Sequence, residues 1–114
     1  YEDNFFDAIG LIYVHFPDNI RRPNHQHLTK LLNPHGTIIL EAFSKNHLNY
    51  QKLNPGVGGP KIPNQLYDSM ELSNDFERFD MVELKEEVIE LAEGTFHLGQ
   101  SSVVRMLAKK RGDN

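Results

Sequence analysis

The chain has 114 residues, a length for one domain or part of one, and its 39% hydrophobic and 25% charged residues allow only a small core. A net charge of -4 gives no general attraction for nucleic acid or for an anionic membrane surface, so neither is expected as a partner. With no cysteine, a disulfide framework, a thiolate nucleophile and a thiolate metal site are excluded; no stretch reads as a signal peptide or spanning segment, and a cytoplasmic protein is expected.

The first element is announced by Phe5 to His15, apolar except for Asp7 and Gly10. A half-buried edge strand alternates apolar and polar residues, whereas Ala8 to Val14 is nearly continuous and suits a strand inside a parallel sheet, covered on both faces. Pro17, Asp18 and Asn19 predict a turn. Pro23 then suits the first turn of a helix carrying Leu28, Leu31 and Leu32, which Asn33 to Gly36 would end. Thr37 to Phe43 is a second apolar, β-branched run and predicts an interior strand. Strand, helix and strand in succession imply a crossover and two parallel strands.

From Ser44 to Gln65 the text is dominated by Asn, Gly, Pro and Lys and predicts a long loop, more often a binding loop or lid than filler. Asp68 and Glu71 have the spacing of a capping box and predict a short helix through Phe76. The next stretch is ambiguous: Leu84, Val88 and Leu91 fit a helix face, yet Gly94 separates this segment from a probable strand at Ser101 to Leu107, so two antiparallel strands fit as well. Lys109, Lys110 and Arg111 read as a solvated basic terminus, and Glu83, Glu86, Glu87 and Glu90 as a solvated face. His25 and His27 lie about two hundred degrees apart on a helix and cannot chelate one ion together, so no metal is expected. The fold class is α/β.

Four words in this order, FDAIGLIYVHFP, LLNPHGTIILEAFS, GGPKIPNQLYDSMELSNDF and EGTFHLGQSSVVRMLAKK, resemble the C-terminal half of a class I S-adenosylmethionine-dependent methyltransferase. More narrowly, they are similar to small bacterial methyltransferases of the tellurite-resistance or general-purpose type. The resemblance implies a partial Rossmann-like sheet, strands four to seven of seven, with two parallel strands, a crossover helix and an antiparallel C-terminal hairpin. It overrules the helical spacing and makes roughly Asp80 to Leu91 a strand. Residues 1–43 would be the strand-helix-strand unit, 44–68 a substrate-side loop, and 69–114 a short helix and the hairpin. His35 stands where the family's turn usually has glycine.

In that family the cofactor is held by a glycine-rich turn after strand one and an acidic residue ending strand two, and neither is found here; NPGVGGP follows the wrong strand. The resemblance therefore implies that the cofactor-binding half is missing and that this chain alone is inactive. By the same resemblance, Leu11, Ile12 and Tyr13 would border the methionine part of S-adenosylmethionine. His15 would act as general base or orient the nucleophile; its other reading is a hydrogen-bonded strand-end histidine. Tyr50, Gly59, Pro60 and Tyr67 would face a small-molecule acceptor, or the tyrosines would simply anchor the loop. His97, another word of the family, would sit in the hairpin turn. Two other readings stay open: a half-domain that binds or oligomerises through the exposed edge of its first strand, and a complete small protein that binds a nucleotide-like ligand without catalysis.

Overall fold

The computed structural model describes residues 2–53, 58–61, 63–93 and 97–112, of which 91–93 and 97–99 as backbone. In chain order the elements are β1 (Phe6–Ile12), α1 (Asp18–Leu31), β2 (Leu32–Phe43), α2 (His47–Leu53), a single 3-10 turn (Pro63–Gln65), α3 (Ser69–Asp75), β3 (Phe79–Glu93) and β4 (His97–Lys110). The four strands form one mixed sheet in the order β1-β2-β4-β3, with β1 and β2 parallel and the other two pairings antiparallel. The α/β class, the parallel pair and its crossover helix are as the sequence predicts. Among the described residues no helix is long and apolar enough to cross a membrane.

Alternation along the strands divides the core. On one face Leu11, Ile38, Leu40, Ala42, Val104, Met106 and Ala108 meet Leu72 and Phe76 of the α3 region, with Leu28 of α1 packed alongside. Phe43 and Val103 point the other way, toward Leu66 and Leu48 of α2. Leu72 and Phe76 are at most 1% exposed, so each contributes about 2 kcal/mol of burial. The Asp68 side chain accepts from the Glu71 N–H at 2.8 Å, the cap that its spacing predicts.

Several expectations are corrected. The first strand is not covered on both faces: of Phe6–Ile12 only Leu11 is buried, and Ile12 is 54% exposed. Among the described residues β1 has a neighbour on one side only, and the face that Ile12 shares with Ile39 and Leu107 is covered by α2 only at its far end, at Phe43 and Val103. Pro23 is not in the first turn of α1 but inside it, because the helix already begins at Asp18 after Pro17. Its missing N–H removes one bond of the helix ladder. The stretch from Ser44 to Gln65 contains α2, where Leu48, Gln51, Lys52 and Leu53 form a helical run free of Gly and Pro.

The terminal Lys110 is not solvated: its ammonium donates to the carbonyls of Thr29 and Leu32 at 2.8 and 2.7 Å, closing the C-terminal end of α1. Nor do the four glutamates share a face. Glu86 accepts from Ser69, whereas Glu87, one residue on and so on the opposite side of β3, pairs with Arg105. His97 is paired with Glu93 at the start of β4 rather than in a turn; Gly94 lies outside the described residues. His35 adopts φ +66, the left-handed conformation that glycine takes freely, at a position where β1 and β2 slip in register.

Candidate functional site

The parallel strands β1 and β2 end side by side, and most of the singled-out residues gather there. Leu11 belongs to the core and can offer only its main chain, whereas the side chain of Ile12 stands exposed on the opposite face. At Tyr13 the backbone turns with φ +54; its N–H donates to the Glu41 carbonyl and its hydroxyl to the Glu41 carboxylate, both at 2.6 Å. Arg105 then ties Glu41 to Glu87 across the sheet. This row of charges fixes the ring of Tyr13 5.0 Å from that of Phe43.

His15 is held at both nitrogens. Nδ1 lies 2.7 Å from the carbonyl oxygen of Gln65, and Nε2 accepts from the Phe43 N–H at 3.3 Å. A carbonyl only accepts and an amide N–H only donates, so the ring is the neutral Nδ1–H form. Burial pushes its pKa below the ordinary histidine value; the bond to Gln65 pulls against this and the nearby His47 adds to it. To act as a base, His15 would have to give up its bond with Phe43.

Tyr67 is fully buried, and its hydroxyl donates to the Val14 carbonyl at 2.9 Å while accepting from the Phe16 N–H at 2.6 Å. Burial raises its pKa, so it stays a neutral phenol. Gly59 has φ +96, and a Cβ there would come within 2.8 Å of the Phe43 ring. Pro60 is half-buried and gives its carbonyl to the side chain of Gln51, whereas Tyr50, half-buried on α2, is not one of the rings around Phe43. The structure thus brings Tyr13, His15, Gly59 and Tyr67 into one neighbourhood, with Phe43 at its centre.

Two groups escaped the sequence reading. His47 stacks on Phe43 with ring centres 4.2 Å apart, and Gln51 donates to the carbonyls of Gly58, Gly59 and Pro60. Four-residue spacing on two helices builds the second group. Arg21 and His25 of α1 both reach Asp75 at 2.8 Å, and Arg21 also reaches Glu71 at 2.7 Å. Burial of Asp75 alone would raise its pKa, but the bonds from His25 and Arg21 outweigh that and hold it below the ordinary carboxylate value. The i, i+4 pairs were the available signal; what they met across space was not legible. Among the described residues no three His, Cys, Asp or Glu side chains come together as metal ligands would.

No protein-family model and no curated protein matches the chain. Solved structures do. A methyltransferase dependent on S-adenosylmethionine from Methanosarcina mazei superposes with TM-score 0.69 at 18% identity, covering 97% of this chain and 62% of that one. TehB of Haemophilus influenzae gives 0.68 at 16% identity, with 95% and 36% covered. The 1,6-didemethyltoxoflavin-N1-methyltransferase of Burkholderia thailandensis, solved with S-adenosylhomocysteine, gives 0.59 at 15% identity, with 97% and 46% covered. At these identities the likeness is one of fold. The chain spans about half the length of the structures it matches, and it folds as that half of an S-adenosylmethionine-dependent methyltransferase does.

Proposed function

We propose that this chain is the C-terminal half of a methyltransferase that moves a methyl group from S-adenosylmethionine to a small-molecule acceptor. On this reading β1, β2, β3 and β4 are strands four, five, six and seven of the complete sheet, and β3 with β4 its terminal hairpin. The observation that carries it is the likeness of fold to methyltransferases over nearly the whole chain, this chain's own sheet having the order β1-β2-β4-β3 with a single parallel pairing. Ligands of open α/β sheets bind beyond the carboxyl ends of the parallel strands. The main chain of Leu11 and Ile12 and the ring of Tyr13 stand there to border the methionine part of the cofactor. Tyr50, Gly59, Pro60 and Tyr67 belong to the side that faces the acceptor, with Tyr67 and Gly59 shaping that side rather than touching substrate. His15 positions this side through Gln65. Methyl transfer needs an in-line approach, and orientation alone supplies much of the rate.

The test is calorimetric binding of S-adenosylmethionine to two materials: this chain, and the longest product carrying this sequence that the source cell makes, captured by its C-terminus. The longer product is expected to bind, to lose at least about tenfold in affinity on Ile12→Arg, and to leave the 114-residue chain without measurable affinity. A longer product that does not bind the cofactor overturns the proposal. A second reading, a half-domain that assembles through β1, is favoured by the edge of that strand, which among the described residues no other strand pairs, and by Ile12 and Ile39 exposed beside it. An intact cellular mass near 13.1 kDa would move the choice to it.

A further inference from the structure

Two imidazoles fasten the same stretch of chain at its two ends. His15 bonds to the Gln65 carbonyl and accepts from the Phe43 N–H of β2. His47 bonds to the Gly58 carbonyl at 2.8 Å and accepts from the Ser102 N–H of β4 at 3.3 Å. Each ring therefore carries one N–H and one lone pair, His15 as the Nδ1–H tautomer and His47 as the Nε2–H tautomer. Phe43 lies between them, 5.7 Å from His15 and 4.2 Å from His47. Each partner atom is main chain, and the Gly58 carbonyl is shared with the side chain of Gln51.

We propose that His15 and His47 are proton-operated clasps: while neutral they tie Gly58 to Ser102 within β4 and Gln65 to the end of β2, and a proton on either ring breaks its tie to the strand. The added proton converts the accepting lone pair into a second donor, aimed at an amide N–H that can only donate. Repulsion replaces attraction there. The surroundings do not rescue the charged form. Among the described residues His15 faces His47 and the neutral phenol of Tyr67, and His47 faces His15 across Phe43. From α2 and β4 the groups at His47 are Gln51 and Ser102, both uncharged. The carboxylates nearby are already paired: Glu41 with Arg105, Glu71 with Arg21 and Lys45, Asp75 with Arg21 and His25, and Asp68 with Lys45.

Burial lowers the pKa of both rings; for each, its carbonyl partner pulls in the opposite direction without winning. The folded state therefore binds these protons less readily than the unfolded chain. The clasps are closed above the ordinary histidine value and open as pH falls through the lower, folded values. Only the consequence, that acid frees the acceptor side of the site, rests on the methyltransferase reading; the clasps do not.

The test uses the 114-residue chain in NMR. At about pH 7.5 the ring nitrogens should show the two tautomers named above, and both rings should titrate below the ordinary value of about 6.5. As pH falls from about 7.5 through the values at which the two rings titrate, the amides of Phe43 and Ser102 should lose roughly tenfold or more in protection, corrected for intrinsic exchange, while sheet amides at Leu40 and Met106 hold theirs. His15→Gln should abolish the response at Phe43 and keep it at Ser102, and His47→Gln should do the reverse; His27→Gln, in an exposed ring, should change neither. Protection that is constant with pH, or a response that survives in both clasp variants, overturns the proposal. Should a variant not fold, the wild-type tautomers and amide protection decide alone. Failure of the methyltransferase reading would instead appear as absent cofactor binding with these signals intact.

Discussion

Asp75 holds two elements together through one carboxylate. It is 6% exposed, with Arg21 and His25 of α1 both at 2.8 Å, and the His25 ring is fully buried against Phe76. Asp75→Asn leaves the buried Arg21 guanidinium with Glu71 as its charge partner and His25 without a carboxylate, a loss of about 1–3 kcal/mol, which urea unfolding would read as a lower midpoint with unchanged slope. The pH dependence has a definite sign. Because the folded pKa of Asp75 lies below the ordinary value, its contribution is present above the unfolded carboxylate pKa and is lost as pH falls through the folded value. The variant should therefore show a flatter acid limb than the wild type. Gly59 offers a different kind of test. With φ +96 and the Phe43 ring where a Cβ would go, Gly59→Ala should cost about 1–3 kcal/mol locally. Faster proteolytic cleavage near that residue, with a nearly unchanged global midpoint, would be the outcome of a strain confined to the loop.

At the scale of elements, Lys110 joins the end of β4 to the end of α1 through the carbonyls of Leu32 and of Thr29, the second of which also takes the Leu32 N–H. Lys110→Met keeps the stem and removes the donors, so a loss of about 1–2 kcal/mol is expected in chemical denaturation; no change would mean that water serves those carbonyls equally well. This contact shows why part of the fold was illegible. A basic tail looks solvated until the end of a distant helix is placed beside it. β3 was illegible for another reason: Leu84 and Val88 are four apart, a spacing that shares a face in a helix and equally in a strand, and only pairing with β4 separates the two. By contrast, β2 and α3 were legible because their signals are local, a β-branched run at Thr37 to Phe43 and a cap at Asp68. The site divides similarly. Tyr13, His15 and Tyr67 were singled out through their words in the sequence, while His47 and Gln51 lay in a polar stretch whose helix was not foreseen.

For the whole molecule, the sheet leaves two sides of β1 in question at once. Among the described residues no strand pairs with its outer edge, and Ile12 and Ile39 are 54% and 48% exposed on the face that α2 covers only at Phe43 and Val103. A Cβ at Gly10, on that same face, would meet nothing within 4 Å, so nothing described here requires glycine in the middle of the strand. An edge of this kind templates pairing with another chain unless it is covered. The 114-residue chain is accordingly expected to self-associate, with a sedimentation coefficient that rises with concentration. Ile12→Lys should shift it toward monomer, since each buried isoleucine contributes about 1.5–3 kcal/mol and an edge lysine opposes pairing. A wild-type chain that stays monomeric at every concentration would show that the edge does not recruit a partner. The longer cellular product separates the two readings of function. If it is monomeric while the shorter chain associates, the cover for β1 comes from the same polypeptide, as a methyltransferase domain requires; if both associate and Ile12→Lys disperses both, the edge is an assembly surface in its own right.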